Sequence, residues 1–292
     1  MRWRKSWLAD MPLANIMNKF NAQDIPSTGS AVRSGRTSFT ITLSVWRALF
    51  LREAVARLFA GRATWFWLVA EPVFNVTYLA FIYTVIRVRT VGGIDTVMWL
   101  MVGMLGFFMF RRTGTQVQNA ISANQPLFTY RQVLPVDTAL VRAGLEAFLM
   151  IAVATVLLTG AALLGHSVVP ADPLAVFEAF FGLWLVGVGF GLMTSVAIEL
   201  IPELGKILKL LMMPLYILSG VIMPLSALPP PYRGWLMLNP IAHGLEAARL
   251  GFAPYYHAVP ELSVAYLYMF GLVSVFFGLA LHRRFANKLV TQ

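Results

Sequence analysis

Residues 211–251 read LMMPLYILSGVIMPLSALPPPYRGWLMLNPIAHGLEAARLG. About 20 predominantly apolar residues cover a bilayer core, and Leu210 to Leu228 supply them. The chain does not then leave the membrane, but runs through Pro229-Pro230-Pro231 into further apolar sequence. Asn239-Pro240 has the form of a helix start: Asn accepts from orphan amides, and Pro is tolerated at the first helical position. The helix it would open, Ile241 to Phe252, is about 12 residues, or roughly 18 Å, too short to span. A re-entrant or interfacial hairpin is therefore expected. Such backbone persists at membrane depth only against protein or water, which points to a vestibule or pore.

Outward from this stretch the chain keeps the same character. Of its 292 residues 58% are hydrophobic and 12% charged, with mean hydropathy +0.70. These values lie outside those of a soluble globular domain and predict an all-α polytopic membrane protein. With no cysteine, neither a disulfide framework nor a thiolate metal site can form. His166, His243, His257 and His282 are scattered without a His-Glu-x-x-His pattern, so no metal site is expected. The net charge of +10 would suit nucleic acid. Topology alone gathers Lys and Arg on one side of a membrane, however, and no nucleic-acid partner is expected. The N-terminus lacks the apolar core of about 7–15 residues that a signal peptide needs.

Residues 1–43 read as a polar cytoplasmic arm broken by Pro12, Pro26, Gly29 and Gly35. Within it, Gly29 to Ser38 has a superficial likeness to a phosphate loop. The match fails because five residues rather than four separate Gly29 from Gly35, and Arg36 stands where Lys is needed. The chain is therefore not expected to hydrolyse nucleotide itself. Residues 44–62 look helical and carry Arg47, Arg52, Glu53, Arg57 and Arg62. Steps of five rotate each arginine by about 140°, so no single polar face emerges. Two readings stay open: a helix on the cytoplasmic membrane surface whose Glu53 and Arg57 contact a partner, or simple headgroup anchoring. Six spans follow at about 64–86, 96–118, 138–165, 174–198, 210–228 and 262–281, and residues 285–292 form a short tail. With the N-terminus inside, 19 of the 23 Lys and Arg fall on the cytoplasmic side, and only Arg87, Arg89, Arg233 and Arg249 fall outside. Both termini are therefore expected in the cytoplasm and the hairpin on the outer face.

The first span holds Glu71-Pro72. A carboxylate there costs about 2.5–3.5 kcal/mol unless compensated, so Glu71 must face water, protein or an arginine of a neighbouring span. Pro72 removes a backbone hydrogen bond and is expected to kink the helix. The second span has one wet face: Arg111, Arg112, Thr115, Gln116, Gln118, Asn119 and Ser122 share an arc of about 160°. Phe108, Met104 and Met101 continue that side. This face is either a conduit in which guanidinium groups meet anionic or hydroxyl-rich substrate, or a pair of interfacial arginines that snorkel. The loop Ala123 to Tyr130 is too apolar for a plain linker. Its Leu127, Phe128 and Tyr130 need either a groove on a partner protein or the chain's own arm. Arg142 and Glu146, spaced i,i+4, can neutralise one another. Gly187-x-x-x-Gly191 permits close helix approach. Glu199, Glu203, Lys206 and Lys209 read as a solvated cytoplasmic turn. No Ser-His-Asp or paired-carboxylate constellation has usable spacing, and no catalytic residue is expected.

Arg52-Glu53, Arg57, Trp65 and Trp67 before Glu71-Pro72, the loop at 124–130, Pro135, Ser219 to Pro224 and Leu238 to Ile241 together resemble the type-2 ABC exporter permeases over residues 44–284. Within that superfamily the chain is most similar to the permeases of capsular polysaccharide export, with O-antigen and teichoic acid permeases as neighbours. The resemblance implies a homodimer in the bacterial inner membrane with two separate ATPase subunits, which would carry the ATP and Mg, while this chain binds no cofactor. It implies a lipid-linked polysaccharide substrate, with a periplasmic co-polymerase and outer-membrane export proteins as further partners. By position, Asn124, Gln125, Pro126, Leu127, Phe128 and Tyr130, with Glu53 and Arg57, would couple to the ATPase. The substrate path would run along Trp65, Trp67, Glu71, Phe108, Arg111, Arg112, Thr115, Gln116, Gln118 and Asn119. Tyr232, Trp235, Asn239 and Pro240 would form an external gate. Arg111 and Arg112 with the resemblance favour an anionic polymer. A membrane-embedded glycan-modifying transferase is the alternative of a different class, and a drug or lipid exporter would have a narrower, less cationic path.

Overall fold

The computed structural model describes residues 38–59, 64–86, 90–129 and 133–290. The arm before residue 38, with its Gly29 to Arg36 loop, and Arg62, Arg87, Arg89 and Tyr130 lie outside the described residues. The compact unit begins at Thr42. Its helices are α1 (Ser38–Phe59), α2 (Thr64–Val85), α3 (Thr96–Gln118), α4 (Pro135–Leu163), α5 (Pro173–Leu200), α6 (Leu204–Leu218), α7 (Pro230–Leu236), α8 (Pro240–Phe252), α9 (Val264–Arg284) and α10 (Ala286–Val290). A small antiparallel hairpin, β1 (Thr90–Val91) with β2 (Ile94–Asp95), precedes α3, and 3₁₀ helices occupy Ser122–Thr129 and Leu225–Ala227.

The helix starts follow local chemistry. Asp95, Asp172, Asn239 and Ser263 accept from amides of the first turns of α3, α5, α8 and α9, while α4, α5 and α8 open on proline. The helix expected after Asn239-Pro240 forms as α8. Among the described residues, four helices are long and apolar enough to cross a membrane: α2 through Trp65–Tyr83, α4, α5 and α9. The chain is thus an all-α polytopic membrane protein. α3, at 23 residues, has the length but carries Arg111 and Arg112. The helix in the segment expected at 210–228 has other bounds: α6 begins earlier, at Leu204, and stops at Leu218 after 15 residues. The cause is Gly220, which adopts φ 78 with the side chain of Leu225 2.7 Å from where its Cβ would stand, so the chain turns there although its hydropathy continues.

α3 is the axis. Every residue from Met98 to Phe110 is buried, against α2, α4, α5 and α8. Met101 and Met104, expected to continue a conduit, are core residues instead. Lipid is as apolar as a leucine side chain, so helices associate here through close packing and polar contacts. The Gly187-x-x-x-Gly191 pattern serves this: a Cβ on Gly187 would lie 2.8 Å from the Phe110 carbonyl oxygen, and one on Gly191 2.7 Å from that of Gly114. α1 inverts the usual amphipathic arrangement. Leu51, Val55 and Phe59 are exposed, whereas Leu49 and Glu53 are buried and Arg57 turns inward. Trp46 anchors the helix by donating from Nε1 to Asp137 at 2.9 Å.

Gly187→Ala is expected to lower stability by about 1–3 kcal/mol through overpacking. Gly160→Ala, with nothing within 4 Å of its new Cβ, should be neutral or slightly stabilising. Thermal unfolding midpoints of the detergent-solubilised variants measure both.

Candidate functional site

The C-terminal half of α3 opens on a polar cavity of about 850 Å³. Phe108, Arg111, Arg112, Thr115, Gln116 and Gln118 of α3 and Asn119 at its C-cap line it, facing Glu71 and Asn75 of α2 and Lys209, Met212 and Tyr216 of α6. The wet face expected from helical periodicity is thus brought together on one wall, save for Ser122, which is exposed on the 3₁₀ helix. Trp65 and Trp67, also expected on the path, are exposed on α2 and do not line the cavity.

Pro72 shapes this wall. Lacking an N–H, it leaves the Leu68 carbonyl without its helical donor, and Arg112 Nη1 donates there at 3.2 Å. Arg111 Nη2 meets Glu71 at 2.6 Å, and its guanidinium sits 4.8 Å from the Phe108 ring centroid. Glu71 is thereby compensated by a neighbouring helix while staying at the cavity wall.

Behind Arg112 lies a buried ionic cluster drawn from three helices. Arg57 of α1 bonds to Glu146 of α4 and to Gln116 of α3. Arg142 Nη2 meets Glu53 at 2.6 Å and its Nη1 donates to the Asn119 carbonyl at 3.0 Å. Arg112 Nε faces Glu146 Oε2 at 3.8 Å. Two expectations are corrected here. Arg142 and Glu146 do not neutralise one another, because α4 directs them to different partners on α1 and α3. Glu53 and Arg57 do not form an outward contact surface, because buried carboxylates need cations and this cluster supplies them.

The 3₁₀ helix Ser122–Thr129 is tied to the cluster by Arg52, which donates to Asn124, and Asn124 in turn donates to the Ala120 carbonyl at 2.9 Å. Phe128 is buried against Ile121, Val196 and Leu289. Its partner surface is thus the chain's own α5 and α10, which corrects the expectation of an external groove for that residue. Gln125 and Pro126 are exposed and Leu127 half-buried.

At the opposite end of α3, Tyr232 and Trp235 are exposed on α7. Asn239 caps α8 and donates to Ser219 Oγ at 2.8 Å, and Pro240 is buried, so these two hold the hairpin's shape. Arg233 meets Glu261 at 2.8 Å and holds its carboxyl below the ordinary carboxylate range. Sequence reasoning missed the fully buried pair Glu246 and Arg249, 3.2 Å apart. Arg249 stacks 3.8 Å from the Trp99 ring centroid and donates to the Gly220 carbonyl at 2.9 Å. Glu246 accepts from Tyr256 Oη at 2.9 Å. Their i,i+3 spacing within an apolar helix was the available signal. Lys209, expected in a solvated turn, was the other omission. A separate groove of about 470 Å³ between α3, α4 and α5 is lined by apolar side chains apart from Thr155 and offers a glycan no charged group.

Comparison with known proteins identifies the family. Residues 44–253 match the family described as ABC-2 type transporter. The polysialic acid transport protein KpsM of Escherichia coli is 34% identical over 257 residues, covering 88% of this chain and 99% of that protein. The capsule polysaccharide export inner-membrane protein CtrC of Neisseria meningitidis serogroup A is 28% identical over 265 residues, covering 88% and 98%. BexB of Haemophilus influenzae, a protein of the same description, is 24% identical over 257 residues, covering 88% and 97%.

Glu146→Ala should destabilise the chain by about 3–5 kcal/mol, because it leaves the half-buried Arg112 without a buried counter-charge and Arg57 with Glu53 alone, 3.4 Å away. Glu71→Ala, at a carboxylate whose side chain is 46% exposed, should cost about 1 kcal/mol or less. Denaturant titrations of the two variants in one detergent give the ratio.

Proposed function

The chain belongs to the ABC-2 type transporter family, and from that premise we propose that it is the permease subunit of an ATP-driven exporter of capsular polysaccharide. The polymer is anionic and lipid-linked, and it moves from the cytoplasm across the bacterial inner membrane. The observation that carries this reading is the polar cavity beside α3, where Arg111, Arg112 and Lys209 outnumber Glu71. Guanidinium groups favour carboxylate and phosphate, and the hydroxyls of a glycan suit Thr115, Gln116, Gln118 and Asn119. The names of KpsM, CtrC and BexB, each matched over nearly its whole length, support the same substrate class. A permease family sets aside the transferase reading. O-antigen or teichoic acid export is the second reading of the same cavity.

Six spans with both termini in the cytoplasm fit the Lys and Arg asymmetry, with α3 and the shorter α6 joining α2, α4, α5 and α9. A second copy of the chain completes the path. α6 walls the cavity yet has no buried residue, so a partner surface is what would close it. ATP and Mg reside on separate ATPase subunits. Their contact falls to the exposed Gln125 and Pro126, with the Arg52–Asn124 bond passing movement to α1. Tyr232 and Trp235 stand at the outer mouth, where a periplasmic co-polymerase and outer-membrane export proteins would take over the polymer.

A cell carrying the Arg111→Ala/Arg112→Ala variant should insert the chain and retain its ATPase partner, while surface display of an anionic capsule falls at least about tenfold. Full-rate export by a normally inserted variant contradicts the reading.

A further inference from the structure

The cations of the cavity are not equally available. Arg111 is engaged by Glu71 at 2.6 Å and by the Phe108 ring. Arg112 donates to the Leu68 carbonyl and faces the buried Glu146. Lys209 is exposed on the cavity wall, and no hydrogen bond or ion pair to it occurs among the described residues. It lies five residues into α6, about 8 Å along the helix from Leu204. An ammonium group is strongly hydrated and needs water or an anion beside it. The cavity provides that access.

The two walls also differ in how firmly they are held. α3 is core nearly all round, with its polar end tied to α1, α2 and α4. α6 has no buried residue, is interrupted by Pro214 and ends at the Gly220 turn. Pro214 removes the hydrogen bond to the Leu210 carbonyl, so the segment bearing Lys209 is joined to the rest of α6 through an incomplete ladder. A charge on α6 therefore sits on a wall that this chain alone leaves uncovered, opposite arginines on one tied into the core.

We infer that Lys209 is the receiving cation of the cavity. It takes up an anionic group of the substrate, a carboxylate of the glycan or a phosphate of its lipid linkage, and shares it with Arg111 and Arg112, so that the bound anion bridges α6 to α3. Lys209 thereby sets the preference for anionic over neutral cargo. This inference rests on the export reading above, and it adds a specificity-determining residue on a helix that the sequence alone presents as a solvated turn.

The test uses the complete complex of this chain with its ATPase in nanodiscs, and reads the probe concentration giving half-maximal stimulation of ATP hydrolysis. One arm uses α2,8-linked sialic acid oligomers in phosphatidylcholine discs, a second uses neutral dextran oligomers in the same discs, and a third titrates phosphatidylglycerol into the discs without glycan. Lys209→Gln should raise the half-maximal concentration about tenfold in the oligomer arm, the phosphatidylglycerol arm or both, and leave the dextran response as in the wild type. A shift in the oligomer arm assigns the contact to glycan carboxylate. A shift confined to the lipid arm assigns it to phosphate. Lys209→Arg should restore the response to within about twofold, and Lys206→Gln, which changes a cation off the cavity wall, should match wild type. If Lys209→Gln matches wild type in both anionic arms while Arg111→Ala/Arg112→Ala abolishes stimulation, the inference is wrong and the export reading stands. If the double arginine variant also matches wild type in both anionic arms, the export reading fails with it.

Discussion

Two carboxylates held away from water govern the cavity end of this protein. Glu53 and Glu146 are buried, and a buried ion is tolerable only if opposite charges reach it in good geometry. Arg57, Arg112 and Arg142 provide those charges from α1, α3 and α4. The requirement has a mechanical consequence. α1 cannot tilt, α4 cannot slide and α3 cannot rotate without exposing an unpaired charge, so three helices move as one body or lose their pairing. Arg52 extends this body to the 3₁₀ helix through Asn124, and Arg112 extends it to the cavity wall.

The other end of α3 is held by the same kind of constraint. Arg249 and Glu246 are both fully buried, and Gly103 leaves the room that the guanidinium fills, since a Cβ there would overlap Nη2. Arg249 donates to the carbonyls of Gly220 and Val221, just beyond the end of α6, so α8 clasps both α3 and the foot of the turn. Between its two charged ends α3 is an apolar, tightly packed rod. α6 is fastened near the Gly220 turn and leans on the core through Met212, Leu215 and Tyr216. The fold thus sets a rigid cationic wall against one that this chain alone leaves uncovered.

Much of this was legible in the sequence where a single helix decides the outcome. The wet face of α3 follows from 100° per residue, and its members other than Ser122 line one cavity. The start of α8 follows from the local chemistry of Asn239 and Pro240. What could not be read depends on which helices become neighbours. Nothing in the spacing of Arg142 and Glu146 says that each will prefer a charge on another helix over its i,i+4 companion. The inward turn of Glu53 and Arg57 escapes notice because the arginines of α1 are spread around its axis, and only tertiary contact selects the buried ones. Gly220 ends α6 inside an unbroken apolar run, since hydropathy senses composition and not backbone conformation. Lys209 reads as a turn residue until α6 is seen to begin at Leu204.

The central claim is that an anionic glycan passes along the cavity between α3 and α6. Cryo-electron microscopy of the full complex, arrested with a hydrolysis-deficient ATPase during polymer synthesis, tests it most directly. The account predicts density for sugar within about 4 Å of Arg111 and Arg112, the reach of a charge-assisted contact. Polymer density running through the apolar groove between α3, α4 and α5 instead, with the polar cavity filled only by solvent, would contradict it.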